Sequence, residues 1–328
     1  MNQNKKIPEM TGVFAEKAMD FIAFKHSLGF KYEAEVKCIS RFCKFANEFG
    51  VKEVKITKEL AYAWCAPKPG EAVKSRGHRI TCIRQFAIYL ESQGFSAFIM
   101  PEVKNICNSS FVPYIFTHDE ITRLICAVDW TRAVTVARDM HLSLPVIFRI
   151  LYSCGLRVSE VCELKRQDVD DENGIITVRD SKNGRDRIVP LSGSVHKSLA
   201  NYVSCVSWSS DAEYFFRAPD RSQIAPITIY QRYRSYLFAA GISHGGKGKG
   251  PRLHDLRHTF AVHALQRWIA EGADLQAKLP ILSVYMGHTS IRSTSKYLRL
   301  TVEVYPELLE KIEEYSSHVI PEVYDEAE

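Results

Sequence analysis

The chain has 328 residues, 46% of them hydrophobic and 25% charged, with a formal net charge of +5. This composition fits a soluble globular protein with enough apolar material for two cores. The most apolar run, 142–156, carries Pro145 and Arg149 and is too short to span a bilayer, so no membrane segment is expected.

The start, MNQNKKIPEM, has charge but no apolar run after it, so no secretory leader is expected. Nine cysteines are scattered without a C-x-x-C pair, which argues against a structural zinc site or a disulfide framework and for reduced thiols in the cytoplasm. Charge is unevenly spread. Residues 301–328 hold nine acidic side chains and one lysine, so everything before them is basic. A basic body favours polyanions such as nucleic acid.

The first hundred residues read as four helices. Phe14, Ala18, Phe21, Ile22 and Leu28 fall on one helical face before Gly29, and Ile39, Phe42, Ala46 and Phe49 on another before Gly50. A short helix is expected at 57–65. After the PKPG break (67–70), a fourth carries Ile80, Ile83, Ala87 and Leu90. Its first turns hold Lys74, Arg76, Arg79 and Arg84. Singly these read as a solvated helix face. As a cluster after a Pro-Gly turn they are candidates for phosphate contact.

Residues 101–116 read as a linker. Thr117-His118-Asp119-Glu120 has capping-box spacing for the next helix. An apolar helix follows over 139–153 and ends at Cys154-Gly155. IITVRD (175–180) and RDRIVPL (185–191) read as paired strands, with Asn183-Gly184 as the hairpin turn. Helices are expected at 193–206, at 227–240 and from His254. A last amphipathic helix carries Val304, Leu308, Leu309 and Ile312 before an acidic end. Two tempting motifs fail. GISHGGKG (241–248) has Gly248 where a phosphate loop needs a hydroxyl, and it follows a helix. His254, His258 and His263 form no H-E-x-x-H and have no nearby cysteine, so no metal is expected.

Four stretches can carry chemistry. In GLRVSE (155–160), Arg157 opens a helix, where a cation opposes the macrodipole unless an anion sits against it. Glu160, one turn on, can orient a guanidinium, and the two also read as a simple ion pair. Lys182 sits by the hairpin turn. In HDLRH (254–258), His254 and Arg257 share one helical side. In MGHTSIRSTSKYLRL (286–300), His288 precedes Tyr297 by nine positions across a short polar helix. Alone, Arg157 with Glu160 reads better as a structural ion pair and Lys182 as a solvated turn lysine, while the other two stretches read equally as surface.

Together, in this order and spacing, they resemble the tyrosine recombinases, the phage integrase family. G-L-R-V-S-E, Lys182, H-D-L-R-H-T-F-A, M-G-H-T-S-I and S-T-S-K-Y match that family's motifs over residues 117–300. The interval between Arg257 and His288 is longer than usual, Met286 stands where leucine is more frequent, and the wording leans toward transposon-encoded members.

The resemblance implies a mostly α fold with a small β-hairpin. A helical core-DNA-binding domain would span 1–108 and an α+β catalytic domain 109–328, with 301–328 as C-terminal helix and acidic tail. It implies a site-specific recombinase of a mobile element. Arg157 and Arg257 would stabilise the pentavalent phosphate and lower the pKa of the phenol. His254 and His288 would donate hydrogen bonds or take the phenol proton, and Lys182 would protonate the leaving 5′ hydroxyl. Tyr297 would hold the 3′ phosphate covalently. The bond energy is kept in the phosphotyrosine, so no ATP, metal or other cofactor is implied. The implied partners are double-stranded DNA and three further copies in a homotetramer, with room for accessory recombinases, and the implied location is the cytoplasm at the nucleoid. A type IB topoisomerase-like relaxase and a non-catalytic DNA-binding regulator remain the alternatives.

Overall fold

The structure is a computed structural model that describes residues 8–102, 112–132, 139–179, 186–208, 213–246 and 250–305. Lys182, the Asn183-Gly184 turn and the apolar stripe beyond Val304 (Leu308, Leu309, Ile312) lie outside the described residues. The chain divides into two compact units, Met1–Phe111 and Val112–Glu328. The fold is mostly helical with one small sheet.

The described residues of the first unit hold four helices: α1 (Ala15–Ser27), α2 (Glu33–Glu48), α3 (Lys58–Cys65) and α4 (Val73–Ser92). Thr57 caps α3 by accepting the Leu60 N–H. The rings of Phe14, Phe42 and Phe86 pack at centroid separations of 5.5, 6.1 and 6.3 Å, bringing α2 and α4 together around the residue that precedes α1. Truncating one such ring to alanine would cost roughly 3–5 kcal/mol. Leu28 and Phe49, expected on the apolar faces, are exposed. Each is the residue just past its helix, where the 3.6-residue period no longer applies.

The second unit opens with α5 (His118–Asp129). Both halves of its capping box form: Thr117 accepts the Glu120 N–H at 3.1 Å and Glu120 accepts the Thr117 N–H at 2.9 Å. Next comes α6 (Met140–Ser153), buried along most of its length. Its one charge, Arg149, is held by Asp129 at 2.6 and 2.8 Å. After α7 (Val158–Glu163) the chain makes an antiparallel sheet of β1 (Val169–Asp170), β2 (Ile175–Val178) and β3 (Arg187–Pro190), in that order. Register pairs Ile175 with Pro190 and Val178 with Arg187. The hairpin strands were expected, and β1 adds an edge too short to show a period.

Helices α8 (Gly193–Cys205) and α9 (Pro226–Ala239) cover the main core with α6, and Pro226 sits where a missing N–H does no harm. The last three helices of the described residues are α10 (Asp255–Ala270), α11 (Leu275–Met286) and α12 (Ile291–Val304). They share their own apolar layer of Ala261, Leu265, Leu282, Met286 and Tyr297. The long interval before His288 is therefore mostly helix. Tyr297 was expected near the end of its helix, but α12 runs on to Val304 and leaves it mid-helix. Among the described residues no helix is long and apolar enough to cross a membrane.

Candidate active site

Two helix C-termini build the floor of the site. Gly155 follows α6 and has a φ of +59°. A side chain there would also strike Phe260, 2.5 Å from an ideal Cβ, so only glycine fits. Its carbonyl accepts from Arg257 Nη1. At the end of α11, Gly287 has a φ of +65°, its N–H bonds the Val284 carbonyl, and the His288 N–H bonds the Ser283 carbonyl. This Schellman arrangement is what fixes His288. The carbonyls left over at that end are taken by guanidiniums. Arg257 Nη2 donates to Met286 and Arg187 Nε donates to Tyr285, each cation at the negative end of the helix.

Glu160 is the hub between these cations. Its carboxylate accepts from Arg157 N–H (2.8 Å), Arg157 Nη1 (2.7 Å), Arg187 Nη1 (3.0 Å) and Arg187 Nη2 (2.8 Å). Burial alone would raise its pKa. The hydrogen bond and charge of Arg187, followed by those of Arg157, outweigh burial and hold it down at about 2. Arg257 is only 2% exposed, and burial followed by the charge of Arg157 pushes it down to about 10. Two guanidiniums thus bond one carboxylate, and the third, Arg257, interacts with it through charge alone. Such an excess of buried positive charge is stabilised by an anion, and Arg257 has N–H groups to spare for one.

Against these cations lies a row of rings. His254 is exposed just before α10, and its ring meets that of His258 edge-on at 4.9 Å. His258 Nδ1 is 2.9 Å from Tyr297 Oη. On the other side His288 lies nearly parallel to the Tyr297 ring at 6.1 Å, with its Nδ1 2.8 Å from the buried Thr294 hydroxyl. Burial, then Arg252 and Arg257, pushes His258 down to about 4, and burial, then Arg257 and Arg157, does the same to His288. Both are therefore neutral at neutral pH. The Tyr297 phenol is raised by burial, and the charges of Arg257 and Arg157 offset this only partly. Both arginines act in the expected direction, lowering the phenol, but for a side chain 5% exposed burial outweighs them and the net shift is upward.

Of the residues expected to act together, Arg157, Glu160, His254, Arg257, His288 and Tyr297 converge on this one site of one chain. Arg187 and Thr294 join them without having been singled out, and so does His258, which was weighed only as a metal ligand. The R-H and S-T pairs beside known candidates were visible, but their partners lie 39 and 6 residues away. His263 stands apart, with Nδ1 2.9 Å from the Tyr152 hydroxyl and its ring stacked on His118.

The four basic candidates of α4 separate. Lys74 is exposed, Arg76 is half-buried with Nε donating to the Cys65 carbonyl, and Arg84 is half-buried. Arg79 is not a surface cation at all. It is buried, donates to Glu71 at 3.0 and 2.6 Å and to Ala66, and lies over the Trp64 ring. Only a side chain folded back onto the α3–α4 connection can satisfy those acceptors.

Comparison with known proteins agrees with this geometry. The y4rB protein of Sinorhizobium fredii, whose name reads integrase/recombinase, is 28% identical over 308 residues, covering 92% of this chain and 97% of that one. The tyrosine recombinase XerA of Pyrococcus furiosus is 31% identical over 203 residues, 61% of this chain and 62% of that one. Two solved structures share the fold at 16% identity. The site-specific recombinase XerH bound to its palindromic substrate has a TM-score of 0.63 and covers 89% of this chain and 93% of that one. The Tn1549 transposon integrase with circular-intermediate DNA has a TM-score of 0.61 and covers 86% and 94%. The model of the phage integrase family matches residues 115–303, more than half of the sequence, and the chain belongs to that family.

Proposed function

We propose that the protein is a site-specific DNA recombinase that cuts and rejoins strands through Tyr297, in the service of a mobile element. The observation that carries this reading is that one buried phenol stands within a single chain's set of guanidiniums and neutral imidazoles. That is the combination a phosphodiester needs in order to be attacked by a weak nucleophile.

In this reading the scissile phosphate lies against Arg157 and Arg257, which neutralise its nonbridging oxygens as the fifth bond forms. Glu160 and Arg187 hold Arg157 at its station. His288, oriented by Thr294, and His254 at the mouth of the site donate to the same phosphate. The strand's 3′ phosphate passes to Tyr297, and the 5′ hydroxyl leaves with a proton from Lys182, a role assigned by family resemblance. Attack by a 5′ hydroxyl from a second duplex reverses the step. Strand exchange requires four copies on paired sites. The first unit would grip the duplex backbone with Lys74 and its exposed neighbours.

The test is a set of nicked suicide duplexes tiled across the ends of the element that carries the gene. A covalent protein–DNA adduct is expected with the wild type and none with Tyr297→Phe. Joining of strands from two duplexes, rather than relaxation of supercoils alone, marks the recombinase. Absence of an adduct on every end sequence would sink the proposal.

A further inference from the structure

Among the described side chains, one outside the six family positions touches the reacting oxygen. His258 Nδ1 is 2.9 Å from Tyr297 Oη, while neither His254 nor His288 makes a hydrogen bond to that oxygen. His254 faces the His258 ring. His288 lies flat beside the phenol ring with Nδ1 engaged by Thr294. We propose that His258 is the base that takes the Tyr297 proton during cleavage and the acid that returns it during resealing. This rests on Tyr297 being the nucleophile.

The placement is rigid. His258 follows Arg257 directly in α10, so the base and a phosphate-binding cation ride on one helix. Tyr297 is fixed by the apolar layer of α10, α11 and α12. Burial with Arg252 and Arg257 keeps the ring neutral at neutral pH, and the base is its Nε2–H tautomer, whose Nδ1 lone pair faces the phenol.

The step balances. The Tyr297 O–H bond breaks and its proton goes to Nδ1. The phenol oxygen forms a bond to phosphorus, and the bond from phosphorus to the 5′ oxygen breaks. That oxygen takes a proton from Lys182. In resealing the 5′ hydroxyl gives its proton back to the same amine and attacks phosphorus, and the departing phenol oxygen recovers its proton from the imidazolium. Before a phosphate arrives, a phenol raised by burial does not ionise toward so weak a base, which keeps the nucleophile dormant. An incoming phosphate anion raises the imidazole's proton affinity, and bond formation to phosphorus makes the phenol acidic. Both changes favour transfer at the moment of attack.

The experiment measures single-turnover cleavage of the suicide duplex by the full chain. His258→Gln is expected to slow adduct formation roughly 100-fold with DNA affinity unchanged. Replacing Tyr297 by the more acidic 3,5-difluorotyrosine is expected to recover most of that loss, because an acidic phenol needs less help from a base. A merely structural histidine would leave the His258→Gln penalty equal with either phenol, and that result would overturn the proposal. So would a variant that cleaves within about threefold of wild type, or faster. A wild-type chain that forms no adduct would instead sink the nucleophile assignment, and this inference with it.

A DNA-independent measurement covers the case in which His258→Gln does not fold. In ¹⁵N spectra of the full chain, the His258 Nδ1 resonance is expected to move on Tyr297→Phe as its hydrogen bond is lost. An unmoved resonance would refute the contact on which the proposal stands.

Discussion

Arg187 and Glu160, 27 residues apart, meet in a buried two-point ion pair, Nη1 on Oε1 at 3.0 Å and Nη2 on Oε2 at 2.8 Å. Arg157 shares the same carboxylate from a more open position, with its side chain 20% exposed. The two arginines should therefore fail differently. Arg187→Met strips a buried carboxylate of its main partner and is expected to destabilise the second unit by about 3–5 kcal/mol. Arg157→Met leaves that pair intact and is expected to abolish cleavage with a smaller loss of stability. Urea unfolding and adduct formation, measured on both variants, check this. Equal unfolding midpoints for the two would contradict the assignment of Arg187 as the structural anchor.

The same strand explains why part of the site was not legible in the sequence. An alternating reading of R-I-V-P buries Ile188 and Pro190 and exposes Arg187. The structure does the reverse, burying Arg187 and Val189 and leaving Ile188 66% exposed. The deciding term is Glu160, which no local window around Arg187 contains. The part His258 plays was missed for the same reason, since it comes from a phenol 39 residues on. By contrast, the capping box at Thr117, the helix end at Gly155, and Arg157 at a helix start are set by local backbone chemistry. Those were legible, as were the four helices of the first unit, apart from the one-residue overreach at Leu28 and Phe49.

Gly287 links that local chemistry to the site. An added Cβ would lie 2.8 Å from Arg187 Nη1 and 3.1 Å from its Cζ, on a backbone with a φ of +65°. Left-handed backbone with a side chain costs about 1–2 kcal/mol before any clash. Gly287→Ala is thus expected to lower the unfolding midpoint. It is also expected to cut the cleavage rate more than DNA affinity, because His288 and Arg187 both shift. Affinity and single-turnover rate, measured side by side, decide it. A loss confined to affinity would contradict the positioning role.

Histidines withdrawn from water, His263 fully and His258 and His288 in part, give the second unit a defined acid sensitivity. His258, His263 and His288 are each pushed down to about 4, in every case first by burial. An unfolded histidine titrates near 6.5. Between these values the unfolded chain holds more protons, so lowering the pH favours unfolding. Stability should be full above about pH 6.5 and fall progressively toward about pH 4. Glu160, held at about 2, adds its own loss only once the pH drops below the ordinary carboxylate range. Urea midpoints recorded from about pH 7.5 to about pH 5 should therefore decline, and His263→Gln should remove part of that slope. A flat profile over that span would mean that the rings are not buried in neutral form.

In the first unit, Lys74 and Arg79 separate DNA contact from folding. Both lie early in α4, but Lys74 is exposed while Arg79 is 6% exposed and spends its charge on Glu71. A lysine that meets a phosphate contributes counterion release and no sequence preference. Lys74→Ala is therefore expected to weaken binding to all duplexes alike and to reduce the slope of log affinity against log salt by about 1. Its unfolding midpoint should stay at the wild-type value. Arg79→Ala leaves the Glu71 carboxylate with the Lys68 N–H alone, takes a donor from the Ala66 carbonyl and uncovers the Trp64 ring, so it should lower the midpoint. At temperatures where that variant remains folded, its salt slope should match wild type. An Arg79→Ala chain with unchanged stability and a shallower salt slope would return Arg79 to the DNA-contacting face.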